Sequence, residues 1–302
     1  MLDTRRPFTR ADALAAGISA KALRGSRFRR IFTGVYVDAR VSDHPLVRAS
    51  AAVLVSDGSV ASHTTAARVY ELPVPSESME HVTVSMAAQR ASRSGVRCHV
   101  GTVVGVRSVQ GVPVSAPLDV FVQLAGMLSL VDLVVVGDAM VRRALATPAE
   151  LRARCASVTE AHIVLARRAA DLVRDRVDSP METRLRLLLV LAGLPEPEVN
   201  RKIRDAHGVV LMRLDLSYPA VKVAVEYDGR QHAEDKGQWN RDLDRREDLD
   251  DEEWRILVVT RKGIYVEPAR TIERVFTLLR KRGLPGLPPR PRDDWRQHFA
   301  HR

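Results

Sequence analysis

Three acidic side chains lie close together in the carboxyl-terminal half of the sequence, and carboxylates grouped in this way can hold a metal ion. Residues 211–218 are mostly apolar, a Pro-Ala pair follows, and residues 221–227 carry β-branched side chains at alternate positions. This pattern predicts two antiparallel strands around a tight turn. Because side chains alternate between the two faces of a strand, Asp215, Glu226 and Asp228 are expected to share one face.

The expected pairing of Tyr218 with Val221 sets the register of this hairpin. It places Asp215 opposite Ala224 and makes Asp215 a diagonal neighbour of Glu226, roughly 7 Å away. Carboxylates beside an apolar face repel one another unless a cation lies between them, and their hard oxygen atoms favour Mg²⁺ or Mn²⁺ over zinc. The hairpin therefore predicts a divalent-metal site, and a solvated polar face without a metal is the alternative.

A helix is predicted directly before this hairpin. Ser179 is a typical N-cap, Pro180 fits the first helical position, and an apolar repeat follows. Glu182 stands where a capping box needs its carboxylate, and a further role at the metal site is the alternative. After the hairpin, residues 238–252 form a charge-dense helical stretch, and residues 254–260 have the composition of a short apolar strand. The order helix, three strands, helix and strand is typical of nucleases.

With these motifs in this order, residues 178–282 resemble the PD-(D/E)XK nuclease superfamily, in particular a small domain related to the very-short-patch-repair endonuclease. The matching segments are S-P-M-E (179–182), R-L-D-L-S-Y-P (213–219), V-E-Y-D-G-R-Q-H (225–232), R-D-L-D-R-R (241–246) and W-R-I-L-V-V-T (254–260). The resemblance implies a restriction-endonuclease-like α/β domain with a central mixed sheet. It implies that Asp215 and Glu226 are metal ligands and that Asp228 and His232 line the site. It also implies that the following helix supports the site or faces phosphate through Arg241, Asp242 and Arg245.

One position departs from the superfamily pattern, because Asp228 stands where the E-x-K lysine is expected. Another group must then help the attacking water, and His232 is the first candidate as general base or through a bridging water, since imidazole titrates near neutral pH. Lys222, expected on the same strand face, is the second candidate, and His232 as an ordinary surface histidine is the alternative. The resemblance implies metal-dependent hydrolysis of a DNA strand, with RNA as the alternative substrate. The missing lysine instead favours an inactive nuclease-like domain in a DNA-binding regulator.

The amino end of the chain is strongly basic. The whole sequence has a net charge of +10 and a pI of about 10.2, which favours a polyanionic partner. Thr9 is expected to cap a helix that ends at Gly17, and Ser19 to cap a second, basic helix. A basic hairpin over residues 28–37 completes the outline of a winged helix-turn-helix. The side chains expected to contact duplex DNA are Lys21, Arg24, Arg27, Arg29 and Arg30.

Residues 5–145 resemble the amino-terminal part of type IV antitoxins of the AbiEi-like class. The matching segments are A-A-G-I-S (15–19), R-I-F-T-G-V-Y-V (30–37), A-S-H-T-T-A-A (61–67) and G-V-P-V-S-A-P-L-D (111–119). This resemblance implies a DNA-binding regulator and makes a toxin protein a candidate partner. Ser62 is expected to cap a helix, and His63 is interpreted as structural because the sequence supplies no partner acid or nucleophile beside it.

The sequence of 302 residues, 45% hydrophobic, predicts a mixed α/β protein of several segments. The expected order is a winged helix-turn-helix over 1–75, an α/β and helical connector over 76–177, and the nuclease-like domain over 178–283. A basic, proline-rich tail over 284–302 is expected to be mobile. A homodimer is compatible with this organisation.

The same composition predicts a cytoplasmic protein. No secretory signal is expected, and the most apolar stretch, 128–136, is too short and too polar to span a bilayer. The two cysteines, Cys98 and Cys155, lack the spacing of a metal site. Two free, buried thiols in a reducing compartment are therefore expected.

Overall fold

The structure is a computed structural model that describes residues 2–102, 104–159, 161–204, 207–229 and 253–299. It is mixed α/β, as expected. The helices are α1 (Arg10–Ala15), α2 (Ala20–Leu23), α3 (Pro45–Val53), α4 (His63–Val69), α5 (Pro117–Leu124), α6 (Leu130–Arg142), α7 (Pro148–Ala156), α8 (Ile163–Leu172), α9 (Pro180–Leu191), α10 (Arg261–Tyr265), α11 (Pro268–Lys281) and α12 (Arg296–Phe299).

The strands form three sheets with the orders β1-β3-β2, β6-β5-β4-β8-β7 and β12-β11-β10-β9. They are β1 (Phe8–Thr9), β2 (Phe28–Phe32), β3 (Val35–Asp38), β4 (Val60–Ala61), β5 (Glu80–Val84), β6 (Val96–Val100), β7 (Val106–Val109), β8 (Val112–Ser115), β9 (Glu198–Arg204), β10 (Val210–Tyr218), β11 (Val223–Asp228) and β12 (Arg255–Thr260).

The chain divides into two compact units, and neither unit is continuous in sequence. The amino-terminal unit comprises Met1–Leu128 and Ala144–Asp171, and the carboxyl-terminal unit comprises Ser129–Arg143 and Leu172–Arg302. This division differs from the four consecutive segments expected from the sequence. The five-stranded sheet explains part of the difference, because it joins β4, which precedes residue 75, to strands that follow that residue.

The first helices and strands of the amino-terminal unit form where local signals predict them. Thr9 caps α1 in a capping box with Asp12, with Thr9 N donating to the Asp12 carboxylate at 2.9 Å. Gly17 then takes the left-handed conformation with φ of 81°, and Ser19 Oγ accepts from Ala22 N at 3.2 Å to cap α2. A hairpin of β2 and β3 follows directly. The winged helix-turn-helix assignment itself stays a prediction.

The five-stranded sheet of the amino-terminal unit has one apolar face. Val82, Val84, Val96 and Cys98 alternate with polar residues along β5 and β6, and they pack in a buried cluster with alanines of α3. The alternate positions of these strands face the other way, which places polar side chains together on the opposite face.

The carboxyl-terminal unit is built on a mixed sheet. Strands β9, β10 and β11 are antiparallel neighbours, and β12 lies parallel to β11. Helix α9 packs against β10 and β11, and α11 packs against β11. The core between them contains fully buried leucines and valines, among them Leu188, Leu189, Leu216, Val223 and Val225. This core holds the two central strands at a fixed orientation to α9.

The end of the chain differs from expectation. The expected mobile tail instead packs on the carboxyl-terminal unit up to residue 299: Trp295 and Phe299 are each only 5% exposed. Arg292 N donates to the Ala192 carbonyl at 2.8 Å, just past the end of α9. Burial of these two aromatic side chains, together with this hydrogen bond, holds the segment on the unit.

Both cysteines are free and buried, as expected. Burial raises the pKa of the Cys155 thiol to about 11. Among the helices that the structure describes, none has the length and apolar character needed to cross a membrane.

Candidate functional sites

The central hairpin carries the predicted carboxylates in a register that differs from expectation. Tyr218 pairs with Val223 rather than Val221, and Leu216 pairs with Val225. The physical reason lies in the connection: Pro219–Val221 forms a turn of 3-10 helix, and Lys222 follows in the left-handed conformation with φ of 48°. Because of these residues, the second strand begins two residues later than expected. A shift of two keeps every side chain on its predicted face.

The observed register brings Asp215 and Glu226 closer than predicted. Continued by one residue, it places Asp215 directly opposite Glu226, where Cβ atoms are typically about 4.5–5.5 Å apart. Asp215 Oδ2 also accepts a hydrogen bond from Tyr227 N at 2.9 Å, which ties this carboxylate to β11. Asp215, Glu226 and Asp228 are all partly buried on one face. The site is therefore a cross-strand acidic pair, with Asp228 at the end of the same strand.

Two further candidates hold positions different from those expected. Lys222 lies in the left-handed turn and not on the strand face, so it is not aligned with the carboxylates. Ser179 Oγ caps α9 by accepting from Glu182 N at 3.2 Å, but Glu182 does not complete the capping box. Its Oε2 instead accepts from Asp178 N at 3.0 Å and from Asn200 Nδ2 at 3.2 Å. Glu182 is buried and links the start of α9 to β9.

The start of α9 lies against the strand that carries Asp215. Asp178 forms an ion pair with Arg213, which is two residues before Asp215 and therefore on the same face of β10. The remaining site residues suggested by the sequence, His232, Arg241, Asp242 and Arg245, lie outside the described residues.

The carboxylate oxygens suit Mg²⁺ or Mn²⁺ chemically. Within the described parts of the chain, three potential ligand atoms lie within 4.8 Å of one another only in a cluster of histidines in the amino-terminal unit. Asp228 therefore lies on the same face as Asp215 and Glu226, but the three carboxylates do not bring ligand oxygens within 4.8 Å of one another.

A basic pocket of about 350 Å³ opens beside the end of β12. Its lining includes Lys262, Arg270 and Arg274, with Glu267 as the acidic member. Lys262 Nζ lies 2.6 Å from the Glu267 carboxylate and holds the pKa of that group below its ordinary value. Since Thr260 also lines the pocket and pairs with Asp228, the basic pocket lies next to the acidic strand.

The basic residues of the amino end are not equivalent. Lys21, Arg24, Arg27 and Arg30 are exposed, as a phosphate-binding surface requires. Arg29 is partly buried: its guanidinium donates to the Val41 carbonyl at 3.3 Å and lies 3.5 Å from Asp43. Arg29 is therefore already engaged within the unit.

The sequence interpretation missed a histidine cluster on the polar face of the five-stranded sheet. His81 lies on β5 and His99 on β6, and His81 Nδ1 is 2.8 Å from His99 Nε2. His63, which the sequence suggested to be structural, begins α4, and its ring stacks on that of His99 with centroids 3.9 Å apart. Ser62 holds the predicted N-cap position but makes no side-chain cap bond; its Oγ lies 2.9 Å from His63 Nδ1.

A sequence signal for this cluster exists but is incomplete. In E-H-V-T-V and V-R-C-H-V, each histidine alternates with valine or cysteine side chains, which predicts that it faces away from the apolar layer. The parallel pairing of β5 with β6, which brings the two faces together, is a contact between distant segments and has no local signature.

Comparison with known proteins gives relatives without an assigned function. No protein-family model matches the chain. Two uncharacterized proteins of Mycobacterium tuberculosis, from two strains, are each 26% identical over 247 residues, covering 82% of this chain and 90% of theirs. The alignment is longer than either compact unit, so the similarity extends into both.

Proposed function

We propose that the protein is a metal-dependent nuclease that hydrolyses phosphodiester bonds of duplex DNA. The observation that carries the proposal is the register of the central hairpin, which pairs Leu216 with Val225 and, continued by one residue, places Asp215 opposite Glu226 on the polar face. Two carboxylates held on adjacent strands, with their opposite faces fixed in a core, form a rigid base for a cation.

The order of elements around this pair supports the proposal. Helix α9 is followed by three antiparallel strands, and β12 adds in parallel beside β11. This order agrees with the layout that the resemblance to the PD-(D/E)XK superfamily implies. The acidic pair lies on the second and third strands of that series, where the resemblance places the metal ligands.

The residues have separate roles in the proposed reaction. Asp215 and Glu226 would hold Mg²⁺ or Mn²⁺, which would lower the pKa of a water molecule and offset the charge that develops on phosphate. His232 accepts the proton of the attacking water, since Asp228 replaces the lysine of the resemblance. Lys262, Arg270 and Arg274 supply positive charge beside the site for the phosphate backbone.

The test is a cleavage assay with the full chain on supercoiled, linear, single-stranded and mismatched DNA in Mg²⁺ or Mn²⁺. Asp215→Asn and Glu226→Gln should each lower the rate at least about 100-fold, because metal catalysis contributes several kcal/mol to transition-state stabilisation. Glu198→Gln is the matched control. Glu198 is an exposed acid on the same sheet, paired with Arg201 at 2.7 Å, and its variant should cut at the wild-type rate.

A second function is favoured by one observation, the aspartate at position 228. If the wild-type protein cuts none of these substrates but binds duplex DNA, a DNA-binding regulator of the antitoxin class with an inactive nuclease-like unit replaces the proposal. Cleavage that continues unchanged in both carboxylate variants would show that hydrolysis occurs elsewhere.

A further inference from the structure

The amino-terminal unit contains a group of ligands that the proposed nuclease does not use. We propose that His63, His81 and His99 form a binding site for one transition-metal ion of the zinc type. Their ligand nitrogens all lie within 4.8 Å of one another. His81 is 2% exposed, whereas the rings of His63 and His99 are partly buried, which leaves an approach for an ion from solvent.

The sheet builds this arrangement from three separate segments. In the parallel pair of β5 and β6, His99 lies beside Thr83, two residues from His81 and on the same face. The antiparallel neighbour β4 ends at Ala61, and Ser62 N then donates to the His81 carbonyl at 3.0 Å. The chain therefore enters α4 at the level of His81, which brings His63 over the pair.

Other side chains orient the rings. A Glu77 carboxylate oxygen lies 3.4 Å from His81 Nε2. A carboxylate only accepts, so the tautomer with the proton on Nε2 directs that proton toward Glu77 and leaves the Nδ1 lone pair for an ion. Ser62 Oγ contacts His63 Nδ1 and accepts from Thr83 Oγ1 at 2.8 Å. A carboxylate behind a ligating imidazole is the usual outer support of a metal-bound histidine.

The electrostatics favour neutral rings. Burial, followed by the neighbouring charges, lowers the pKa of His63 to about 3 and the pKa values of His81 and His99 to about 4. At neutral pH each ring keeps one lone pair for a metal. Arg97 and Arg90 contribute positive charge near the cluster, and Glu77 opposes it.

The donor set selects the ion. Three imidazole nitrogens suit zinc, copper or nickel and do not suit Mg²⁺ or Ca²⁺. Tetrahedral zinc with bonds of roughly 2.0–2.1 Å separates its nitrogens by about 3.3 Å. The 2.8 Å between His81 Nδ1 and His99 Nε2 therefore opens by about half an ångström on binding. Three protein ligands leave the fourth position of the ion to water or an anion.

The experiment is calorimetric titration of the chelator-treated full chain with Zn²⁺. The wild-type protein should bind one equivalent at this site, and His99→Gln should lose it or bind at least about 100-fold more weakly. Glu77→Gln should weaken binding roughly 10- to 100-fold, as loss of an outer carboxylate does. His162→Gln, a change at an exposed histidine of the same unit, and Asp215→Asn should retain the equivalent.

X-ray absorption of wild-type protein loaded with one equivalent of Zn²⁺ gives a test that needs no variant. It should show three imidazole nitrogens at roughly 2.0–2.1 Å. Fewer than three imidazoles, or a zinc titration of His99→Gln identical to that of the wild type, would overturn the site. Neither outcome bears on the proposed nuclease site, because the cleavage assay tests Asp215→Asn separately.

Discussion

Lys222 sets the register of the central hairpin through its backbone conformation. Its left-handed conformation, after the turn at Pro219–Val221, pairs Leu216 with Val225, and this register, continued by one residue, aligns Glu226 with Asp215. Alternation along the strands was enough to predict the shared face. The register was not predictable, because a Pro-Ala pair is compatible with both a two-residue turn and the longer connection observed.

The capping-box motif at Ser179 predicted the start of α9 correctly, but it predicted the wrong hydrogen-bond partner for the Glu182 side chain. The cap at Ser179 formed as predicted, whereas the Glu182 carboxylate is taken up by Asp178 N and by Asn200 Nδ2. The asparagine lies on β9, so its contact with α9 depends on tertiary structure and leaves no signal near residue 182.

The first prediction concerns Glu182→Ala, a variant that distinguishes a structural role of Glu182 from a metal-binding role. Glu182→Ala should lower the free energy of unfolding by roughly 1–3 kcal/mol, because Asp178 N loses its acceptor and the buried Asn200 amide keeps only the Arg176 carbonyl. Its affinity for Mn²⁺, measured by calorimetry, should stay within about threefold of wild type. A loss of Mn²⁺ binding comparable to that of Glu226→Gln would instead make Glu182 a ligand.

Among the helices of the carboxyl-terminal unit, a buried ion pair between Asp138 and Arg186 links α6 to α9. Arg186 is 0% and Asp138 1% exposed, and their side chains meet at 3.0 Å. Thr183 Oγ1 and Arg174 N also donate to Asp138, at 2.9 and 2.8 Å. The sequence predicted α9 from capping and periodicity, but it did not predict this pair, because its members are far apart in the chain and each is charged.

The second prediction concerns this pair. Arg186→Ala should destabilise the protein by roughly 3–5 kcal/mol in denaturant unfolding, because Asp138 is left buried without its counter-ion. Arg184→Ala is the matched control: this neighbour on α9 pairs with Asp132 at 2.6 Å in a more exposed setting, and its loss should cost about 1 kcal/mol.

The loss of stability in Arg186→Ala should also depend on pH. Burial raises the pKa of Asp138, and removal of the guanidinium raises it further. A carboxyl whose folded pKa exceeds its unfolded value binds more protons when folded, so stability falls as pH rises above the unfolded pKa of about 3.9. The deficit relative to wild type should therefore be smaller near pH 5 than near pH 8. Equal deficits at both values would contradict a buried, unpaired Asp138.

Across the whole molecule, the sequence predicted the elements that depend on neighbouring residues. It did not predict the features that depend on contacts between distant segments. The amino-terminal helices and hairpin follow from Thr9, Gly17 and Ser19, each acting within a few residues. The five-stranded sheet and the two discontinuous units required pairings between distant segments. The histidine cluster depends on those pairings, which is why its members were not grouped from sequence.

The third prediction tests the basic amino end in the full chain. Duplex binding without divalent metal should weaken steeply with salt, and removing one cation that binds a phosphate should reduce the log-log slope by about 0.9. Neutralising the four exposed cations, namely Lys21, Arg24, Arg27 and Arg30, should flatten the slope, whereas Arg29→Gln alone should change it little because Arg29 is engaged by Asp43. An unchanged slope in the fourfold variant would place the DNA on another surface.

The proposed nuclease depends on a divalent cation held by Asp215 and Glu226. The most direct measurement is anomalous scattering from a crystal of the full chain soaked in Mn²⁺. We expect a peak within roughly 2.0–2.3 Å of carboxylate oxygens from both residues, and no such peak in Glu226→Gln. A wild-type crystal without a peak at this pair, or a peak of equal height in Glu226→Gln, would show that the pair does not hold the cation.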